Sequence, residues 1–112
     1  MLKWEGSDVT EWTERELQQW CNEASERTFV YFYTPFCGTC RVAERMLQVI
    51  LTIKPTLPIV KCNINYCPQV AQNWQIESVP CLVDVEAQSV SRKRYRMQDV
   101  NELLAWFQSG TD

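Results

Sequence analysis

The sequence predicts an α/β protein, a mixed central β-sheet flanked by helices in the order β-α-β-α-β-α-β-β-α. Three observations carry that prediction. The charge-free run Phe29-Val30-Tyr31-Phe32-Tyr33, rich in aromatic and β-branched residues, reads as a strand buried on both faces. Beyond Pro35, the apolar residues Val42, Ala43, Met46, Leu47, Ile50, Leu51 and Ile53 recur at steps of three and four, the spacing of one helix face. Strand and helix patterns alternate early and two strands follow each other late, which argues for parallel and antiparallel strands in one sheet. A length of 112 residues suits one domain, 1–112, with a core that needs no staples.

In chain order, a short first strand is expected near Leu2 to Glu5, with Trp4 and Trp12 covering an apolar edge. Thr13 and Glu16 have the spacing of a capping box, and Leu17, Trp20, Cys21 and Ala24 then share one face of a helix from about Glu14 to Ser25. After the central strand, the long helix ends before Pro55, which biases Lys54 away from helical geometry. Leu57 to Cys62 reads as a second buried strand, interrupted by the charge of Lys61, and Pro68 starts a short helix through Trp74. Leu82 to Val85 forms a strand, Gln88 and Ser89 a hairpin turn, and Val90 to Tyr95 the antiparallel return. Asp99 and Glu102 repeat the capping spacing ahead of a closing amphipathic helix carrying Val100, Leu103, Leu104, Trp106 and Phe107.

Composition narrows the function. With 46% apolar residues and only three glycines the chain is not a disordered one. A net charge of −3 and a pI near 5.0 leave no basic footprint for nucleic acid. Arg92, Lys93, Arg94 and Arg96 are read as a solvated strand edge whose charge discourages edge pairing. The N-terminal residues hold no apolar signal core and no segment is long enough to span a bilayer, so a cytoplasmic protein without membrane contact is expected. In such a reducing compartment the six cysteines are mostly thiols, and a disulfide is catalytic rather than structural.

Cys37-Gly38-Thr39-Cys40 sits where the buried strand turns into the long helix. Unpaired N–H groups and the helix dipole favour negative charge there. A free thiol with a pKa near 8.5 is only a few per cent thiolate at neutrality, and lowering it by about 1.5 units takes roughly 2 kcal/mol. With two residues between them, Cys37 falls at the helix entry and Cys40 about one turn inside. The first is exposed and attacks a disulfide; the second is sheltered and resolves the mixed disulfide.

These residues resemble the thioredoxin family over nearly the whole chain. The element order matches, the aromatic strand running into Cys37-Gly38-Thr39-Cys40 is similar to that family's active site, and Lys61-Cys62-Asn63-Ile64-Asn65 resembles its third strand. Val79-Pro80 looks like the hydrophobic residue and cis-proline that face the active cysteines in these proteins. The resemblance implies the thioredoxin fold and a thiol–disulfide oxidoreductase with Cys37 as nucleophile and Cys40 as resolving thiol. A pKa near 7 is the value known for thioredoxin itself and comes with the resemblance. It further implies a groove of Phe36, Gly38, Thr39, Val79 and Pro80, where the backbone of Val79 pairs with an extended substrate strand. The expected partners are protein disulfides and a recycling reductase or small thiol; the expected cofactor is none beyond the redox-active disulfide, with no metal, and the protein is a monomer.

The sequence departs from the family's pattern at several places. Phe36 replaces the usual tryptophan, and Thr39 the frequent proline, next to both sulfurs. Tyr31 takes the place of the buried aspartate thought to help deprotonate the resolving cysteine, and a phenol is no base near neutrality. Lys61, neighbour of that aspartate in the family, is left without its partner, and one of its two readings is a side chain that reaches from the strand end to water. Cys81 is open to two readings, a small buried core residue or a third thiol near Cys37 and Cys40. Cys21 is read as core and Cys67, before Pro68, as a partly exposed spectator. Two alternatives compete with the redox reading. One is a zinc or iron–sulfur site of Cys37, Cys40, Cys62 and Cys67, and the other an adaptor that keeps the fold for partner binding.

Overall fold

The computed structural model describes residues 8–23 and 26–109. Its elements are β1 (Thr10–Glu11), α1 (Glu14–Glu23), β2 (Thr28–Tyr33), α2 (Gly38–Ile53), β3 (Ile59–Asn63), a 3-10 turn (Ile64–Tyr66), α3 (Pro68–Asn73), β4 (Cys81–Glu86), β5 (Ser89–Arg94) and α4 (Val100–Ser109). The strands form one sheet in the order β1-β3-β2-β4-β5. β1, β3 and β2 run parallel; β4 is antiparallel to β2, and β5 to β4. The charge-free strand β2 is therefore central, buried from Thr28 to Phe32.

Alternation along β2 divides its side chains between two cores. Phe29 and Tyr31 pack with Ala43, Leu47 and Ile50 of α2 and with Leu103 and Phe107 of α4. Val30 and Phe32 pack on the other face with Leu17 of α1, Val70 of α3, Cys62, Cys67 and Cys81. Each large apolar side chain so buried contributes roughly 1.5–3 kcal/mol of transfer free energy. The ring of Phe107 meets Phe29 edge-on, with centroids 4.6 Å apart.

Local chemistry explains why helices start where they do. Thr13 and Glu16 close the capping box reciprocally, Thr13 N–H donating to Glu16 Oε1 at 2.9 Å and Glu16 N–H to Thr13 Oγ1 at 3.1 Å. Asp99 caps α4 from one side alone, accepting from the Asn101 N–H at 2.7 Å.

Three expectations are corrected, and a fourth falls outside the described residues. The strand expected at Leu2 to Glu5 lies outside the described residues, and the first strand described is the two-residue β1, paired with Val60 and Lys61. The hairpin turns one residue earlier than expected, at Ala87 and Gln88, both with positive φ (53° and 70°), and Ser89 already belongs to β5. Two-residue hairpin loops demand that backbone, whatever the side chains. Strand β3 runs Ile59–Asn63 and not from Leu57 to Cys62; it ends where Ile64 enters the 3-10 turn, with Asn63 Oδ1 capping the Asn65 N–H.

The basic stretch of β5 is not a solvated edge. Arg92 and Arg27 both pair with the buried Asp84 on β4, at 2.8 and 2.7 Å. Arg92 also reaches the Trp106 carbonyl and Ser109 hydroxyl of α4 and lies over the Trp106 ring. Lys93 donates to the carbonyls of Trp74 and Gln75. Of the four, Arg96 alone is exposed. The buried aspartate accounts for the difference, since an ionised carboxylate taken out of water needs cationic donors.

Candidate active site

Strand β2 ends at Tyr33, and Thr34 to Phe36 carry the chain to α2, whose N-cap is Cys37. The Cys40 N–H donates to Cys37 Sγ at 3.1 Å, and Thr39 Oγ1 lies 3.2 Å from the same sulfur. Burial alone pushes the Cys37 thiol up. Hydrogen bonds with the Cys40 and Thr39 side chains and with the backbone at both residues outweigh it and hold the thiol below its ordinary value. A sulfur that caps a helix is thus placed where the donors of the first turn favour its anionic form.

Cys40, one turn inward, is buried, and its thiol is pushed up to about 11 by that burial and by its hydrogen bond with, and closeness to, Cys37. Two thiols three residues apart are thereby driven in opposite directions. Approach to Cys37 is open: a Cβ added at Gly38 would meet nothing within 4 Å, and Phe36 is 94% exposed beside it.

Pro80 follows a cis Val79–Pro80 peptide, and both residues are half-buried. Strand β4 starts just after, with Cys81 opposite Phe32 in antiparallel register. Continued in the same direction, that register brings Pro80 and Val79 alongside the end of β2 that leads into Cys37.

Where a carboxylate would meet the resolving thiol in the family resembled, the structure has aromatic residues. Tyr31 is fully buried and its hydroxyl donates to the Cys40 carbonyl at 2.6 Å; burial, above all, raises its pKa beyond the ordinary phenol value. Tyr33 stacks on Tyr31 with centroids 6.1 Å apart, and its hydroxyl bonds Glu11. Lys61, expected to lack a partner, pairs with Glu44 of α2 at 2.8 Å and lies over the Tyr33 ring. Glu44 is the residue that sequence reasoning missed. Its signal was its place four residues after Cys40, which sets both on one helix face.

The remaining cysteines lie elsewhere. Cys81 is a core residue on the α1/α3 face, its thiol pushed up to about 11 by burial and hydrogen-bonded with the Tyr95 hydroxyl. That placement favours the core reading over the third-thiol reading. Cys21 is half-buried against the same core. Cys67, expected to be partly exposed, is buried at 1%, packed in one cluster with Leu17 of α1 and Val70 of α3. It shares an apolar cluster with Cys62, and the two thiols shift each other's titration. The four-cysteine metal site is not formed: among the described residues no three cysteine, aspartate or glutamate side chains converge to hold an ion. No helix among them is long and apolar enough to cross a membrane.

Comparison with known proteins bears on this geometry. The thioredoxin family model matches residues 8–109. Thioredoxin-like protein YusE of Bacillus subtilis is 39% identical over 74 residues, 66% of this chain and 70% of that protein. A thioredoxin of Mycobacterium tuberculosis is 30% identical over 61 residues, 54% of this chain and 53% of its own length. In three dimensions, mitochondrial thioredoxin 3 of Saccharomyces cerevisiae, solved in its oxidized form, superposes with a TM-score of 0.73. It shares 18% identity and covers 93% of this chain and 97% of its own, which shows a common fold. With the family match running from β1 through α4, this chain belongs to the thioredoxin family, whose general chemistry is thiol–disulfide oxidoreduction.

Proposed function

We propose that this protein exchanges a Cys37–Cys40 dithiol for disulfides in other proteins, as a reductant in the cytoplasm. The observation that carries the reading is the geometry at the cap of α2: the Cys40 N–H and the Thr39 hydroxyl lie 3.1 and 3.2 Å from Cys37 Sγ, while Cys40 is buried one turn beneath, which holds the first thiol down and the second up. The Cys37 thiolate attacks one sulfur of a substrate disulfide, joins it in a mixed disulfide and expels the other as a thiolate. Cys40 then loses its proton and attacks Cys37 Sγ; the Cys37–Cys40 disulfide forms and the second substrate sulfur leaves. Two electrons pass to the substrate, and a reductase or small thiol returns them.

Resolution is the demanding step. Tyr31 stays neutral and offers no base, so the proton of Cys40 goes to the substrate thiolate just expelled or to solvent. Consumption of the Cys37 charge in the mixed disulfide removes one of the influences that hold the Cys40 thiol up. Exposed Phe36, the open side of Gly38, Thr39 and the Val79–Pro80 loop form the surface on which an extended substrate backbone lies, with Lys61 and Tyr31 modulating from below. Six cysteines, all free, fit a reducing compartment.

Reduction of insulin with dithiothreitol as electron donor tests the proposal. Cys37→Ser abolishes turnover and Cys40→Ser accumulates mixed disulfides. A Cys37→Ser protein as active as the wild type would refute it. The equilibrium of the Cys37–Cys40 disulfide with glutathione then fixes the direction of electron flow.

A further inference from the structure

Cys62 and Cys67 form a second close pair of thiols, on the face of the sheet away from α2. Cys62 is fully buried on β3; Cys67 follows the 3-10 turn and is the N-cap of α3. The 3-10 turn folds the chain back, the Cys67 N–H donating to the Ile64 carbonyl at 3.2 Å, so that Cys67 returns toward the strand carrying Cys62. Both side chains belong to one apolar cluster on that face, and each thiol shifts the titration of the other, Cys67 down and Cys62 up. The reaction at Cys37 and Cys40 uses neither.

From this juxtaposition and the pocket beside it we propose that Cys62 and Cys67 are a second redox couple, closed to a disulfide by hydrogen peroxide. Cys67 lines a pocket of about 230 Å³ together with Glu11, Trp12, Thr13, Glu14 and Tyr66, whereas Cys62 does not. The oxidant therefore reaches Cys67 first. The neighbouring Cys62 holds the Cys67 thiol below its ordinary value against burial and the negative charges of Glu14 and Glu11. Cys62 itself is held well above.

The chemistry balances without a further reactant. The Cys67 thiolate attacks one peroxide oxygen and breaks the O–O bond, giving a sulfenic acid and hydroxide, which takes up a proton to become water. The Cys62 sulfur attacks the sulfenic sulfur, the S–O bond breaks, and a second water leaves as the S–S bond forms. Two thiols lose two electrons and two protons, and one peroxide becomes two waters. The carboxylates of Glu11 and Glu14 at the pocket select the oxidant: a small neutral peroxide enters, and anionic glutathione disulfide is both too large and repelled.

The test uses reduced full-length protein and a Cys37→Ser/Cys40→Ala variant, so that the outcome is independent of the function proposed above. Each is treated with hydrogen peroxide, unfolded, alkylated and digested. Chymotryptic cleavage after Tyr66 separates Cys62 from Cys67, so their fragments stay joined until a reductant is added. In the Cys62→Val protein, Cys67 is trapped by dimedone as a sulfenic acid. In the double variant, glutathione disulfide at equal concentration closes the pair at least tenfold more slowly than peroxide. Recovery of both Cys62 and Cys67 as free thiols after peroxide, or linkage of Cys67 to a different cysteine, overturns the proposal. Equal rates with the two oxidants overturn the role of the pocket. Measurement on the unsubstituted protein stands whether or not a variant folds.

Discussion

The Tyr31 hydroxyl donates a 2.6 Å hydrogen bond to the Cys40 carbonyl, tying the centre of the sheet to the first turn of α2. Both groups are buried, so the bond has no water to replace it. Tyr31→Phe keeps the ring and removes the donor. It is expected to cost about 1–2 kcal/mol, seen as a lower urea midpoint with an unchanged slope. The alkylation profile of Cys37 stays in place, because Tyr31 does not supply the hydrogen bonds that lower it.

Thr39 supplies one of them. Thr39→Val keeps the shape of the side chain and removes the hydroxyl 3.2 Å from Cys37 Sγ. Loss of a donor to the thiolate raises the Cys37 pKa, so less thiolate is present at neutrality. The rate of iodoacetamide labelling at pH 7 should fall about three- to tenfold, with the profile moved to higher pH. Cys40, pushed up to about 11, stays unlabelled at pH 7 in both proteins.

Asp84 should dominate the acid sensitivity of the fold. Burial would raise its carboxyl, but hydrogen bonds from Arg27 and Arg92 outweigh that and hold it below the ordinary value. A depressed carboxyl gives stability that is complete above the unfolded pKa, near 4, and is lost as the pH falls through the folded one. Asp84→Asn leaves two guanidinium groups without their partner and should cost about 3 kcal/mol at neutral pH. Urea melts between pH 2 and pH 7 should show the variant losing less than the wild type on acidification.

The Lys61–Glu44 pair is a weaker device. Both side chains are partly exposed, at 19% and 23%, and the pair is screened. Lys61→Gln and Glu44→Gln should each cost less than about 1 kcal/mol, with a double-mutant coupling in the same range that shrinks in high salt.

What the sequence disclosed was whatever is local and periodic. Strand β2, helix α2, the capping box at Thr13 and the cysteine pair at a strand-to-helix junction are each written in consecutive residues. What it concealed was set by tertiary contacts. Strand β1 is two polar residues, recognisable only by its pairing with Val60 and Lys61. Ala87 and Gln88 lack the glycine or asparagine that marks a tight hairpin, and the flanking strands impose the turn on them. The pairing of Lys61 with Glu44 joins a strand to a helix, and Arg92 was misjudged because its partner, Asp84, sits on another strand. Cys67 before a proline looks like a surface turn, and only the packing of α1 and α3 buries it.

The edge-on meeting of Phe29 with Phe107, and its tilted contact with Trp106, joins the sheet's centre to helix α4. During synthesis, then, the central strand emerges from the ribosome with α2 close behind it but long before α4 can complete its cover. A nascent chain stopped ahead of Trp106 would hold its stickiest segment half-dressed, and that interval is when a chaperone would find the most to grip.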